Sequence, residues 1–150
     1  MKFRFVWVGK TKDKKWLALQ EEYLQRLSHF VKTEIIEVKD FSTPDAVRIE
    51  GNQILQNLNQ SSLVCLLDVG GKPLSSAELA TEIERWQNRS LKEIAFVIGG
   101  AQGTSAEVAK KADLKLSLSF LTFTHEMTRV ILFEQLYRAF TIIRGFPYQK

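Results

Sequence analysis

The stretch EIAFVIGGAQGTSAEVAKK, residues 93–111, decides the fold class. An apolar run of strand length, EIAFVI, stops at Gly99 and Gly100. Gly103, Thr104 and Ser105 follow. The Thr104–Glu107 spacing predicts a capping box opening a short helix that reaches about Lys111. A continuous apolar run suits a parallel strand covered on both faces. A strand that passes through glycines into a helix is the repeating unit of an α/β domain.

Upstream, SLVCLLDV (62–69) is a second continuous apolar run. After GGKP, the segment SSAELATEIERWQ predicts a helix with Ser75 and Glu78 spaced as a capping box. At the amino-terminal end, KFRFVWVG alternates Phe3, Phe5 and Trp7 against Arg4, Val6 and Val8, a strand ended by Gly9. DKKWLALQEEYLQRLSHF carries Trp16, Leu19, Tyr23 and Leu27 at helical spacing behind Asp13 as N-cap. TEIIEV reads as another strand. TPDAVRIEGNQILQNLNQ reads as a helix capped by Thr43, with Pro44 in its first position. Gly51 either weakens that helix or marks a close approach.

Downstream, LKLSLSF alternates as a strand, and THEMTRVILFEQLYRAFTIIRG predicts a long helix from near Thr124 to Gly145. Strands and helices thus alternate from end to end, without linker or repeat. The expectation is one domain, residues 1–150, of α/β class, with a mostly parallel sheet sandwiched by helices. The last helix spreads Val130, Ile131, Leu132, Phe133, Leu136, Tyr137, Phe140, Ile142 and Ile143 around nearly its whole circumference. Such a helix needs cover on most faces, from deep burial in its own subunit or from a second copy. A homodimer through this helix is the expectation.

Composition narrows the function. Apolar residues make up 45% and charged residues 25% of the chain, the balance of a globular domain. The net charge of +4 permits a nucleic-acid partner without requiring one. No apolar run approaches the length of a membrane span, so no membrane partner is expected. MKFRFVWVGK has a charge inside its apolar run and no small-residue cleavage site, so it does not read as a signal peptide. The one cysteine, Cys65, suits a reducing, cytoplasmic compartment and reads as a small buried hydrophobe rather than a nucleophile. His29, His125 and Cys65 make no ligand cluster, so no metal site is expected.

Three predicted strand ends carry marked chemistry: LLDVGGKP (66–73), VIGGAQG (97–103) and LSFLTFTHEMTR (118–129). Ligands of open α/β sheets bind beyond such ends. A dinucleotide site requires G-x-G-x-x-G and an acid some distance on; here the pattern is G-G-x-x-G, and no acid stands ahead of Glu126 in the expected window. The glycines otherwise only turn the chain. No Ser-His-Asp set and no paired carboxylates stand out. A chain so poor in acid–base groups suits transfer of a pre-activated group, where positioning supplies much of the rate.

Together VGK (8–10), LLDVGGKPLSS, FVIGGAQG, LSFLTFTHEMTRVILFEQLYRAF (118–140) and RGFPYQK (144–150) resemble the RlmH family of SPOUT-class methyltransferases, over the whole chain and in order. The resemblance implies a homodimer with a C-terminal trefoil knot. It implies an S-adenosylmethionine-dependent enzyme that methylates N3 of a pseudouridine in 23S ribosomal RNA on the assembled 70S ribosome. It places the cofactor against Leu67, Gly99, Leu118, Ser119, Phe120, Leu121, Thr122 and Phe123. Arg144, Tyr148 and Lys150, at the carboxyl-terminal tail, are candidate catalytic residues for substrate handling. Lys72, Arg129 and Arg138 are candidates for RNA phosphates.

The N3–H is a weak acid, so its proton must leave at or before methyl transfer. The family tail reads Tyr-His-basic, whereas here it reads Tyr148-Gln149-Lys150. Gln149 cannot act as a base. The alternatives are that water carries the proton with Arg144 and Lys150 stabilising the anion, or that Tyr148 or His125 takes it. Two alternatives stay open: a ribosome-binding homologue with weak or lost catalysis, and a SPOUT enzyme with another RNA target.

Overall fold

The computed structural model describes residues 1–148; Gln149 and Lys150 lie outside the described residues. The elements run β1 (Lys2–Val8), α1 (Lys14–Ser28), β2 (Lys32–Val38), α2 (Ala46–Gln56) and β3 (Leu63–Pro73). They continue as α3 (Ser76–Asn88), β4 (Glu93–Ile98), α4 (Ala106–Lys111), β5 (Leu114–Ser117) and α5 (His125–Arg144). The strands form one five-stranded sheet in the order β2-β1-β4-β3-β5, every pairing parallel. This is the expected α/β architecture.

Period-two alternation sorts β1 between two cores. Phe3, Phe5 and Trp7 point to one face, where Phe96 and residues of α1, α3 and α5 cover them. Val6 and Val8 point to the other, against Ile54 of α2 and Val108 of α4. Phe133 of α5 lies with its ring 4.6 Å from that of Phe5. Burial within the subunit accounts for Leu132, Phe133, Leu136, Ala139 and Phe140 of α5, while Ile131, Tyr137, Ile142 and Ile143 stay half-buried. No helix among the described residues is long and apolar enough to cross a membrane. Cys65 is fully buried, and desolvation raises its thiol pKa, which keeps it inert.

Asp13, Ser75 and Thr124 cap α1, α3 and α5 as the sequence predicts, with the Ser75–Glu78 box complete. Gly145 ends α5 with φ +69°. Two caps differ. Helix α2 starts at Ala46, because Thr43, Pro44 and Asp45 form a turn in which the Ala46 N–H donates to Thr43 O at 3.0 Å. Proline fits the second position of such a turn. Helix α4 is capped by Ser105, not Thr104, since Thr104 packs its methyl toward Gly99. Gly51 marks a close approach: a Cβ there would lie 2.5 Å from the Ser105 hydroxyl.

Strand β3 also runs further than expected. GGKP is not a loop leading to α3. Residues 68–71 arch out, and the strand then re-pairs, so that Leu67 and Lys72 both oppose Leu116 of β5. The arch and its two anchors bring the end of β3 against the segment that leaves β5.

Candidate active site

The carboxyl ends of β3, β4 and β5 surround a cavity of about 410 Å3. Leu67, Asp68 and Val69 come from β3 and its arch. Ile98, Gly99, Gly100, Ala101, Gly103 and Thr104 come from the end of β4 and the turn beyond it. Leu116 and the segment Leu118, Ser119, Leu121, Thr122 and Phe123 close the third side, and His125 and Thr128 of α5 complete the wall. The sequence offered eight cofactor residues; the structure brings seven of them to this one cavity. Phe120 is the exception: it is absent from the wall and 72% exposed. Its neighbour Leu121 has its N–H held by Ser119 Oγ at 3.0 Å.

The glycine turn is shaped by lack of space. A Cβ on Gly99 would stand 2.6 Å from Thr104 Cγ2 and 2.9 Å from Gly103 O. A Cβ on Gly100 would stand 2.8 Å from Glu50 Oε1. Gly103 turns the chain back at φ +88°, donating its N–H to Gly100 O at 3.0 Å. Only side-chain-free residues let this turn lie flat against the cavity.

The charge of the wall is informative. Among the described residues lining it, none is lysine or arginine, and the one carboxylate is Asp68, which accepts the Gly70 N–H at 2.9 Å. A phosphate-bearing dinucleotide would find no cation here. A nucleoside carrying a positively charged sulfonium needs none, and the aliphatic walls, free backbone groups and volume suit it.

Sequence reasoning did not assign Ile98, Leu116, His125 or Thr128 to this site as walls. His125 and Thr128 could have been found from their three-residue step on the first turn of α5, which puts both on one face.

The other candidates lie elsewhere. Arg129 is not available to a phosphate, because it is buried at 2% exposure. It donates to Val8 O at 2.7 Å and to Thr11 Oγ1 at 2.9 Å, and its guanidinium lies 4.6 Å from the Trp7 ring centroid. Thr11 in turn donates to Gln20, and the Trp7 indole N–H donates to Glu37 at 3.1 Å. Arg129 is therefore a strut joining the start of α5 to the end of β1. Arg129→Met is expected to cost about 2–3 kcal/mol, since it leaves the Val8 and Thr11 oxygens short of a donor. Thermal unfolding should show this as a fall of roughly 5–10 °C in Tm, with the salt dependence of RNA binding unchanged. An unchanged Tm with a shallower salt dependence would restore the phosphate role.

Arg138 is held by Glu134, one turn earlier, through Nε at 2.9 Å and a second bond. Tyr148 donates its hydroxyl to the same Glu134 oxygen at 3.0 Å and lies 4.9 Å from the Arg138 guanidinium. Burial first, then the bond to Glu134, pushes the phenol pKa up, so Tyr148 is a donor and not the base the sequence allowed. Lys72 is exposed on the re-paired end of β3, outside the cavity wall. Arg144 is exposed at the last position of α5. Helix α5 has 20 residues, so Arg144 stands about 24 Å along its axis from Thr128 on the cavity wall, whereas the chain beyond it folds back and sets the Tyr148 hydroxyl on Glu134, about 9 Å along the axis from Thr128. Lys150 lies outside the described residues.

The family model described as "Predicted SPOUT methyltransferase" matches residues 1–149. The chain belongs to the SPOUT methyltransferase family. Among its relatives is the ribosomal RNA large subunit methyltransferase H of Clostridium botulinum (strain Okra / Type B1), 43% identical over the full length of both chains. The enzymes of that name from Halothermothrix orenii and Desulfotalea psychrophila are 43% and 41% identical, again with both chains covered completely. The cavity of this SPOUT chain thus sits where three separate stretches of the family-like sequence meet.

Proposed function

We propose that this protein is a methyltransferase that moves a methyl group from S-adenosylmethionine to N3 of a pseudouridine in 23S ribosomal RNA, on the assembled ribosome. The observation that carries this reading is the convergence of Leu67, Gly99, Leu118, Ser119, Leu121, Thr122 and Phe123 on one cation-free cavity. The printed names of full-length relatives supply the ribosomal RNA. When bound, S-adenosylmethionine supplies an electrophilic methyl on a positively charged sulfur.

The chain's own residues then do three things. The glycine turn lets backbone groups close on the donor, and Leu67, Leu116 and Leu118 exclude water from it. Asp68 gives the wall the charge sign that a sulfonium prefers. His125 is the imidazole on that wall, and its neutral form can take the N3 proton in place of the tail histidine that Gln149 replaces. Arg144 supplies a cation for the resulting anion.

Arg144 cannot reach its own chain's cavity, so this reading requires a second copy. A homodimer with antiparallel α5 helices would bring each tail to the partner's cavity, and would cover the half-buried Ile131, Ile142 and Ile143. The expected trefoil knot belongs to the same proposal. So do a single working domain, a cytoplasmic setting, and RNA contacts from Lys72 and Arg138.

The deciding experiment incubates 70S ribosomes with the protein and S-adenosylmethionine and reads the ribosomal RNA by mass spectrometry. One added methyl on a pseudouridine of 23S RNA is expected. Ribosome binding without methyl gain would favour the catalytically silent alternative, and a methyl elsewhere the alternative target.

A further inference from the structure

We propose that a lysine-lined depression at the amino-terminal edge of the sheet holds phosphodiester groups of the RNA substrate. It lies at the opposite end of the subunit from the cavity. This inference rests on the RNA-directed function proposed above. The depression has a volume of about 470 Å3, and Lys2, His29, Phe30, Lys32 and Lys92 help line it. No acidic residue is among the described residues lining it. Among the described residues, these two concave surfaces are of opposite character, the cavity without lysine or arginine and the depression without acids.

The sheet register builds the cluster. Lys2 and Lys32 are partners on the first rung of β1 and β2. Lys92 directly precedes β4, and its carbonyl accepts the Lys2 N–H at 2.9 Å. A lysine therefore stands at the start of β1, at the start of β2 and just before β4, on three adjacent parallel strands.

Neutralisation inside the cluster is uneven. Lys2 pairs with Glu34 and lies 3.9 Å from Glu93, while Arg4 reaches Glu34 at 3.1 Å and Glu93 at 3.4 Å. Those four charges cancel. Lys32 and Lys92 are exposed and form no ion pair among the described residues, which leaves two uncompensated charges at the mouth. A chain of phosphates would pair with these two ammonium groups and release the counterions condensed on it.

The tail sits beside them. Phe30 on the depression wall stacks on Phe140 at 5.4 Å and 4°, and meets the Phe146 ring at 6.0 Å. Phe146 is 52% exposed and leads to Tyr148. An RNA base presented to this tail has its neighbouring phosphates within reach of Lys32 and Lys92. The exposed Phe146 ring offers an adjacent face for a base to stack on. In the antiparallel dimer this edge lies next to the partner's cavity, so the lysines grip the strand that the partner's cavity modifies.

The test measures binding to 70S ribosomes across a salt series, with S-adenosylmethionine binding by calorimetry as the control for folding. Lys32→Ala/Lys92→Ala is expected to bind ribosomes more weakly, with the slope of log affinity against log salt reduced by roughly 1.4, two phosphate contacts' worth. Its deficit should then shrink about sevenfold between about 50 and about 200 mM salt. Its affinity for S-adenosylmethionine should match the unsubstituted chain. Lys110→Ala/Lys111→Ala, which removes the same charge from α4, should keep the original slope. Equal slopes for the unsubstituted chain and Lys32→Ala/Lys92→Ala, or an equal loss in the α4 variant, would overturn the inference and leave the methyltransferase reading intact. Failure of the unsubstituted chain to bind ribosomes would overturn both.

Discussion

Gly99→Val is expected to bind S-adenosylmethionine at least about 100-fold more weakly than the unsubstituted chain. A Cβ alone would already stand 2.6 Å from Thr104 Cγ2 and 2.9 Å from the backbone oxygen of Gly103. The Thr104 methyl could yield; the Gly103 carbonyl cannot, because Gly103 is fixed by its bond to Gly100. The turn must therefore move, and since Gly99, Gly100, Ala101, Gly103 and Thr104 all line the cavity, its wall is displaced. The fold should survive, since the turn lies outside both cores. Calorimetric titration reads the affinity, and circular dichroism the fold. Gly99→Ala combined with Thr104→Ser should bind better than Gly99→Ala alone, because it removes the nearer of the two clashes. Native-like affinity in Gly99→Val would show that the glycine turn is not part of the cofactor site.

Two inactive variants are expected to restore activity when co-expressed. Gly99→Val disables the cavity and leaves the tail; Arg144→Ala disables the tail and leaves the cavity. With the cavity at the first turn of α5 and Arg144 at its last residue, neither variant repairs itself within one chain. In a two-fold dimer, half of randomly assembled molecules are mixed, and each mixed molecule has one site made of an intact cavity and an intact partner tail. Ribosomal RNA methylation should return to about a quarter of the unsubstituted rate. No recovery, with mixed dimers verified by mass spectrometry, would show that the tail does not serve the partner's cavity.

The two cores were legible because alternation and continuous apolar runs report burial directly. Phe3, Phe5 and Trp7 went to one face and Val6 and Val8 to the other, as their spacing requires. The three glycine- and loop-bearing strand ends were legible too, because strand carboxyl ends meet at one edge of a parallel sheet. What escaped was anything set by long-range contact. Thr104 and Ser105 are equally good caps by spacing, and only the packing against Gly99 and Gly51 chooses between them. Arg129 reads as a surface cation until Val8, Thr11 and Trp7 close around it. Phe120 shares its segment with five wall residues and still points away from the cavity. His125 and Arg144 belong to one sequence motif, yet they mark opposite poles of the subunit.

The bond from Arg129 to Val8 spans 121 positions of the chain, and Phe133 and Phe140 of α5 close over Phe5 and Phe3 of β1. This has a consequence for biosynthesis. Elongation proceeds at about 5–20 residues per second from the amino terminus, so the most aromatic strand emerges first and the α5 part of its cover emerges last. Until α5 leaves the exit tunnel, Phe3, Phe5 and Trp7 lack Phe133 and Phe140, and only α1, α3 and β4 are available to shield them. The helix that divides the subunit into two poles is thus also the element whose arrival ends its most aggregation-prone interval.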